Sequence, residues 1–262
     1  MKRLHLFEFE DLAWFPNGLR VLMTRYINTI HKLLKSGDQI ARCLADFFKQ
    51  SDERHILDLC SGSGGPMPSV ISILKDKHGI HGLRLTLSDL YPNLTMAKKI
   101  NEQKDQSLSY LTDPVNALTL ESEPKGLRTM ICSLHHMAPS AASTILNNAQ
   151  QARQPIFAYE ISDNSFPRWL WWIAFPVNII SVLLITPLVR PVSWRQLLFT
   201  YLIPVLPIAI AWDGAVSNAR TYTLEDLEKI IPAQSLPGNY RWEKGTLAGK
   251  GGDKIYLLGY PK

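Results

Sequence analysis

His55-Ile-Leu-Asp-Leu-Cys-Ser-Gly-Ser-Gly-Gly65 decides the fold. Ile56, Leu57 and Leu59 read as a short buried strand, and Ser61 to Gly65 as a tight turn of small residues. Such a turn lets the backbone approach a ligand closely, and its glycines tolerate positive φ. Pro66 and Pro68 follow, then Val70, Ile71, Ile73 and Leu74, an apolar run suited to a helix. Strand, glycine turn and helix in that order make the nucleotide-cofactor unit of open α/β sheets.

The turn discriminates among cofactors. A phosphate loop requires Lys followed by Ser or Thr after the glycines, and neither is present. A dinucleotide fingerprint requires a third glycine where Met67 stands, and an acid inside the strand would face a negative pyrophosphate. Asp58 lies just before Gly62. A carboxylate there suits a cationic ligand with a sulfonium and an amino group, which favours S-adenosylmethionine. The plain alternative is a glycine turn in an unrelated α/β fold.

Further strands point to the same edge. Leu83, Leu85 and Leu87 alternate and end at Ser88-Asp89. Asp89 comes about 25 residues past the glycines, where a doubly wound fold places the acid that holds a ribose. Its plain alternative is an N-cap for the helix opening at Tyr91-Pro92-Asn93. Residues 108–111 read as a third strand, followed by Thr112 to Ala117. There Asp113 or Asn116 can accept from an adenine amino group, and a small neighbour can donate its backbone N–H. Arg128 to Ser133 is a fourth strand and delivers Ser133, His135 and His136; Ile156 to Tyr159 is a fifth and delivers Glu160. Asp58, Asp89, Asn116, His135 and Glu160 therefore converge on the carboxyl edge, where such sheets bind ligands.

The 262 residues suffice for one domain with an insertion. A hydrophobic content of 46% with seven Trp argues against disorder. Cys43, Cys60 and Cys132 form no C-x-x-C pair, which points to a reducing compartment without structural disulfides or zinc. The N-terminus lacks the long apolar core of a signal peptide. The net charge is +5, but Arg168, Arg190 and Arg195 all lie in one apolar region that holds no acid. The basic balance is local, and favours a membrane surface over nucleic acid.

Residues 1–50 read as an N-terminal helical layer ahead of an α/β domain over 51–262. The spacing of Leu19, Leu22, Met23, Tyr26, Ile27 and Ile30 predicts a helix. Leu33, Ile40, Leu44 and Phe47 predict a second one, broken at Ser36-Gly37. A packed layer and a flap over the cofactor, with Trp14, Arg20 and Tyr26 as contacts, are both open. Residues 166–212 form a hydrophobic helical insert. Trp169 to Val189 and Gln196 to Trp212 carry no charge, and Arg190-Pro-Val-Ser-Trp-Arg195 joins them. Both ends must return to the soluble fold and the insert is rich in proline, so a hairpin dipping into one leaflet fits better than two crossings. The alternative is a dry lid over the substrate. Asp213, Ser217 and Arg220 then share one helix face. Thr223 with Asp226 caps a short helix, and Tyr240 to Trp242 with Lys254 to Tyr260 read as a closing antiparallel pair.

With these motifs the chain resembles the class I S-adenosylmethionine-dependent methyltransferases over roughly 50–162 and 221–262. It is most similar to a bacterial group of unassigned substrate. That likeness rests on Phe-Glu-Phe-Glu-Asp (7–11), Asp-Leu-Cys-Ser-Gly-Ser-Gly-Gly-Pro (58–66), Gly-Leu-Arg-Thr (126–129), Ser-Leu-His-His (133–136), Trp-Asp-Gly (212–214), Arg-Thr-Tyr (220–222) and Tyr-Leu-Leu-Gly-Tyr-Pro (256–261). The resemblance implies a Rossmann-like seven-stranded sheet whose last strand is antiparallel. It implies that Asp58, Ser61, Gly62 and Gly64 line the methionine end and that Asp89 holds the ribose. Asn116 and Ala117 would meet the adenine, and Ser133 and His135 would flank the sulfonium; Cys60 and Leu90 complete the cofactor set. Cys60 replaces the usual first glycine, and Asn116 stands where Asp is common.

Methyl transfer from a sulfonium is an in-line displacement that positioning alone promotes. A base is required only where the acceptor loses a proton. His135 or His136 is the first candidate, Glu160 the next, and Arg220 completes the polar set. No third ligand has a spacing that would make the two histidines a metal site. The expected function is an S-adenosylmethionine-dependent methyltransferase acting on a hydrophobic or membrane-resident acceptor. It would sit on the inner face of the cell membrane, peripheral or monotopic, without nucleic acid as partner. The alternatives are a non-catalytic S-adenosylmethionine-binding protein docked on a membrane, and a cytosolic small-molecule methyltransferase whose insert is a lid.

Overall fold

A computed structural model of the chain describes residues 1, 3–103, 106–120, 124–232 and 240–262. Five parallel strands, β1 (His55–Leu59), β2 (Arg84–Leu87), β3 (Leu108–Tyr110), β4 (Leu127–Ile131) and β5 (Ile156–Glu160), are continued by β6 (Tyr240–Leu247) and β7 (Lys254–Pro261). The order is β3-β2-β1-β4-β5-β7-β6, with β7 antiparallel to both β5 and β6. The direction of winding reverses between β1 and β4, so the crevice of a doubly wound sheet opens at their carboxyl ends. β1 and β5 are apolar and buried along almost their whole length, as strands covered on both faces must be. The seven-stranded architecture expected from the sequence is therefore present.

Residues 3–16 run as a strap across the sheet's carboxyl edge, with one short 3₁₀ turn at Phe9–Asp11. The helices begin only at α1 (Asn17–Leu34), not at residue 4 as expected. Pro16 precedes that start and the strap's backbone is bonded elsewhere: Leu4 N–H donates to Ala219 O at 2.8 Å. α2 (Ser36–Gln50) follows after Lys35, which takes the left-handed conformation at φ 56°. The break thus falls one residue ahead of the expected Ser36-Gly37, both of which are buried inside α2. Gly37 serves another purpose. A Cβ there would lie 2.7 Å from Ser69 Oγ, so its absence lets α2 close on α3 (Met67–His78).

α4 (Leu94–Asn101) and α5 (Pro139–Gln151) complete the flanking helices of the sheet's first half. The insert is α6 (Trp171–Ile185), α7 (Trp194–Leu197) with a π-helical turn at Leu198–Leu202, and the start of α8 (Val205–Arg220). α8 does not stop at 212 but runs on through Asp213 to Arg220. α9 (Leu224–Ile230) starts at Thr223 with the expected capping box.

The packed side of the insert meets α1. Leu206 and Ala209 cluster with Phe15, Leu22 and Met23, and Val182 and Val189 with Tyr26. This corrects the reading of α1 as a flap. Tyr26 is spent on the insert, Trp14 is exposed, and Arg20 donates to the carbonyls of Glu10 and Leu12. The rest of the insert is bare, and most of the large apolar side chains exposed among the described residues belong to it, Trp172, Leu184 and Leu202 foremost.

Lys35 carries a measurable cost. A non-glycine residue in the left-handed region is disfavoured by about 1–2 kcal/mol, and glycine is the common residue at such a helix end. Lys35 is exposed, and the weak pull of its charge on Asp38 is all that glycine would lose among the described residues. Lys35→Gly is expected to raise thermal stability by about 0.5–1 kcal/mol, or ~1–4 °C for a chain of this size, in a calorimetric scan. A lower melting temperature would contradict this account of the break.

Candidate active site

Asp58 closes β1 and is 2% exposed. Thr129 Oγ1 donates to its Oδ1 at 2.5 Å and Ser61 Oγ donates to its Oδ2 at 2.7 Å. The carboxylate is thus committed inside the protein, where it fixes the turn through Ser61 rather than lining the ligand space directly. Burial pushes its pKa up to about 7, against the pull of the Thr129 and Ser61 hydroxyls, and nearby Asp89 adds to the rise.

The turn itself uses three left-handed residues in a row of five: Cys60 at φ 56°, Gly62 at 54° and Gly64 at 95°. Cys60 tolerates this without being a glycine, and burial raises its thiol to about 12, so it remains neutral. A Cβ on Gly62 would meet nothing within 4 Å, whereas one on Gly64 would lie 3.1 Å from Leu87 Cδ1. Gly62, like Gly65, therefore faces open space. Gly64, expected to line the methionine end, instead lets the turn pack on β2. Asp89 Oδ2 accepts from the Gly62 N–H at 2.8 Å and Tyr110 Oη donates to Gly62 O at 2.8 Å, so β2 and β3 hold the turn from above.

Asp89 is not the helix cap. Asn93 caps α4 by accepting from Met96 N–H at 3.1 Å, which leaves the Asp89 carboxylate at the strand end on the N–H groups of Gly62 and Tyr91. Leu90 beside it is exposed. Asn116 accepts from Leu118 N–H at 3.0 Å and orders the next loop, with Ala117 buried below it. Val115 N–H donates to Asp89 O at 2.8 Å, which joins this loop to the β2 end. Ser133, after β4, has a buried hydroxyl with no hydrogen-bond partner. Asp58, Cys60, Ser61, Gly62, Asp89, Asn116, Ala117 and Ser133 thus follow three adjacent strand ends and the loop beyond β3.

The second cluster follows β4 and β5. His135 Nδ1 lies 2.7 Å from Glu160 Oε2, and Glu160 Oε1 accepts from the His135 backbone N–H at 3.2 Å. His136 Nδ1 lies 3.0 Å from Asp11 Oδ1. Arg220, from the end of α8, donates to Asp11 Oδ2 at 2.6 Å and to His136 O at 3.0 Å. All four expected catalytic side chains are brought together, and the N-terminal strap touches three of them, His135, His136 and Arg220.

The strap supplies what the sequence reading missed. Glu8 is fully buried, with Oε1 3.1 Å from Arg220 Nη1 at ion-pair distance but without hydrogen-bond geometry. Burial lifts its pKa to about 7, opposed by His136 and Arg220. Burial also disfavours a charged Asp11, but the hydrogen bond and charge of His136, then of Arg220, hold it well below the usual carboxylate range. Arg3 donates to the carbonyls of His135, Met137 and Arg220, and its guanidinium lies over the Tyr222 ring. Asp213 accepts from the N–H groups of Phe9 and Glu10. The Phe-Glu-Phe-Glu-Asp stretch was the one visible sign of this. Glu8 also corrects the expectation that the histidines lack a third partner of metal-binding type, because Glu8, His135 and His136 each offer a ligand atom within 4.8 Å of the others. A surface cleft lined by Arg42, Asp46, Arg153 and Arg241 lies at the opposite end of the strands and shares no residue with either cluster.

The fold is shared with known structures. One, described as the mitomycin 7-O-methyltransferase MmcR, aligns over 98% of this chain and 61% of its own length, at 16% identity and a TM-score of 0.52. Another, the plantazolicin methyltransferase BpumL in complex with SAH, aligns over 94% and 98% respectively, at 9% identity and 0.51. The fold is that of class I methyltransferases. PigF with SAH aligns over 84% of this chain at 18% identity and a TM-score of 0.45. The chain spans 54% of PigF and 61% of MmcR, somewhat over half of those proteins. No family model and no curated protein matches the sequence.

Asp58 makes a test of the turn's electrostatics. An acid with a raised folded pKa keeps its proton in the native state while the unfolded chain releases it near the ordinary value. The native state is then favoured below pH ~4 and loses that advantage as pH rises to about 7, with no further change above. Asp58→Asn removes the titration. The melting temperature of the wild type should fall relative to Asp58→Asn between pH 4 and 7, and a constant difference across that range would show an unshifted carboxyl.

Proposed function

We propose that the chain is an S-adenosylmethionine-dependent methyltransferase whose acceptor is a hydrophobic or membrane-resident molecule. The observation that carries the cofactor assignment is the turn. Gly62 opens onto free space directly beside the Asp89 carboxylate, at the point where the sheet's winding reverses. Asp89 can exchange its bonds to main-chain N–H groups for the two hydroxyls of a ribose. Ser133, with its unpartnered hydroxyl, stands at the end of the neighbouring strand, on the side of the acceptor cluster. The printed descriptions of BpumL and PigF, both with SAH, favour the same ligand.

The chemistry follows from the arrangement. The methyl carbon passes from sulfur to the acceptor's attacking atom, and the bonding pair stays on sulfur to give neutral S-adenosylhomocysteine. His135, backed by Glu160, is placed to take a proton from an acceptor that must lose one. The strap shields His135 and Arg220 while His136 stays partly exposed, and it must move for an acceptor to reach His135.

What supports a membrane-resident acceptor is the insert's exposed face. Residues 171–188 form a stretch long and apolar enough to cross a membrane, with mean hydropathy 1.8 and only 11% of it buried. The next segment is bent by 81° between Leu202 and Val205, the shape of a broken span or a re-entrant loop. A lid over the sheet would bury these side chains, and instead the insert's packed side lies on α1. At about 25 cal/mol per Å², every 100 Å² of this surface placed in lipid adds roughly 2.5 kcal/mol of binding. Exposed Trp169, Trp172 and Trp194 suit the headgroup region, and Arg195 beside Trp194 favours anionic lipid. The proposed location is the inner face of the cell membrane.

Two experiments test the reading. Gly62→Ala adds a methyl group to the open space, and Gly79→Ala imposes the same left-handed strain at the remote end of α3. Calorimetry should show at least a tenfold loss of S-adenosylhomocysteine affinity for Gly62→Ala and none for Gly79→Ala. Equal affinity in both would remove the cofactor from the turn. For the membrane, the triple variant Trp172→Ser, Leu184→Ser, Leu202→Ser alters side chains that are 72%, 72% and 78% exposed. Wild type should float with anionic liposomes and methylate a lipid extract, while the variant stays in solution with its cofactor affinity unchanged. A wild type that does not float at low salt would leave a soluble acceptor.

A further inference from the structure

We infer that Glu8, His135 and His136 hold a divalent transition-metal ion, with Zn²⁺ as the first ion to test. His135 Nε2 lies 3.9 Å from Glu8 Oε1, and His136 Nδ1 lies 3.7 Å from Glu8 Oε2. These separations are too long for hydrogen bonds and close to those of ligands sharing one ion. Two ligands about 2.0–2.2 Å from a tetrahedral zinc stand roughly 3.4 Å apart, so these two separations need contract by only a few tenths of an ångström, and ligand atoms of all three residues already lie within 4.8 Å of one another.

Three of the four atoms concerned make no hydrogen bond, and the fourth, His136 Nδ1, lies 3.0 Å from Asp11 Oδ1 and exchanges that bond for the ion. Among the described residues, both Glu8 oxygens and His135 Nε2 are buried with no hydrogen-bond partner. Glu8 is fully buried and His135 is 4% exposed. Leaving such groups unpaired is costly, and a shared cation satisfies all three at once. The imidazole is also prepared for the role. Its Nδ1–H donates to Glu160, which leaves the Nε2 lone pair directed at Glu8. A histidine ligand whose second nitrogen donates to a carboxylate is the usual outer support of a metal site. Glu160 is itself fixed by the His135 backbone N–H.

Arg220 is the competing cation. Its Nη1 reaches Glu8 at 3.1 Å and Asp11 at 2.6 Å. The shorter pair and its hydrogen bond belong to Asp11, so Arg220 can keep Asp11 while Glu8 turns to the ion. Two histidines and one carboxylate leave at least one coordination position open, as in catalytic rather than structural zinc sites. That position would take an oxygen or nitrogen donor from the acceptor and lower its proton affinity, a role that replaces His135 as base, because its Nε2 is then on the ion. This last role rests on the methyltransferase reading, whereas metal binding does not.

The test uses untagged full-length protein stripped with a chelator. Zn²⁺ is titrated by calorimetry and Co²⁺ by its visible absorption, with S-adenosylhomocysteine affinity measured on the same sample. Wild type and the surface control His81→Asn should each bind one ion per chain. Glu8→Gln and His136→Ala should lose that binding by at least 100-fold. Glu160→Gln, which retains an acceptor for His135, should weaken it about 10–100-fold and alter the Co²⁺ spectrum. Circular dichroism establishes that each variant is folded. No Zn²⁺ or Co²⁺ uptake by folded wild type, or equal uptake by Glu8→Gln and His136→Ala, overturns the site and leaves a charge cluster neutralised by Arg220. Metal uptake without S-adenosylhomocysteine binding would refute the methyltransferase reading and leave the metal site standing, and the reverse pattern would do the opposite.

Discussion

The buried Arg220 guanidinium ties three distant parts of the chain to one point. It grows from the last turn of α8, pairs with Glu8 and Asp11 of the N-terminal strap, and donates to the carbonyl of His136 after β4. Arginine stays charged under almost any burial, so its position demands acids, and removing both Glu8 and Asp11 would leave a buried charge uncompensated. Arg3 repeats the device in the opposite direction by donating from the strap to the carbonyls of His135, Met137 and Arg220. The strap, the helix and the sheet edge are therefore a single electrostatic assembly.

The sheet was largely legible from sequence because its signals are local. β1, β2, β4 and β5 are short apolar runs that end in polar residues, and the parallel arrangement then sends every end to the same edge. α5 was not read, since its Ala-, Ser- and Asn-rich sequence has only a thin apolar stripe of Ala142, Ile145, Leu146 and Ala149. The position of the α1–α2 break was missed because a lysine, not a glycine, adopts the left-handed conformation there. Tertiary packing of α1 on the insert and α2 on the sheet sets that corner, and no local pattern records it.

The candidate site divides along the same line. The strand-end residues were found from their place after apolar runs. What each one touches was not, because those contacts join residues far apart in the chain. Asp58 bonds to Thr129, a partner 71 positions away. Gly64 serves Leu87 packing rather than the open space beside Gly62. Glu8 is the clearest case. In sequence it is one of several acids in a mixed aromatic stretch, and only the fold reveals that it is the one with no access to water.

The continuity of α8 has a further consequence. Its first turns carry the exposed Val205 and Ile208, and its last carries Arg220. Sixteen residues of α-helix measure about 24 Å at 1.5 Å per residue. On the proposed membrane reading, with the apolar end resting in lipid, this rod would set a fixed stand-off height between the bilayer and the reacting centre. Selection among acceptors then becomes partly a matter of reach: a reactive atom carried at the wrong height on its own anchor is refused, whatever its chemistry. Shortening or lengthening the rod by one residue would shift that height by about 1.5 Å and turn Arg220 by about 100° around the helix axis, so reach and chemistry cannot drift independently.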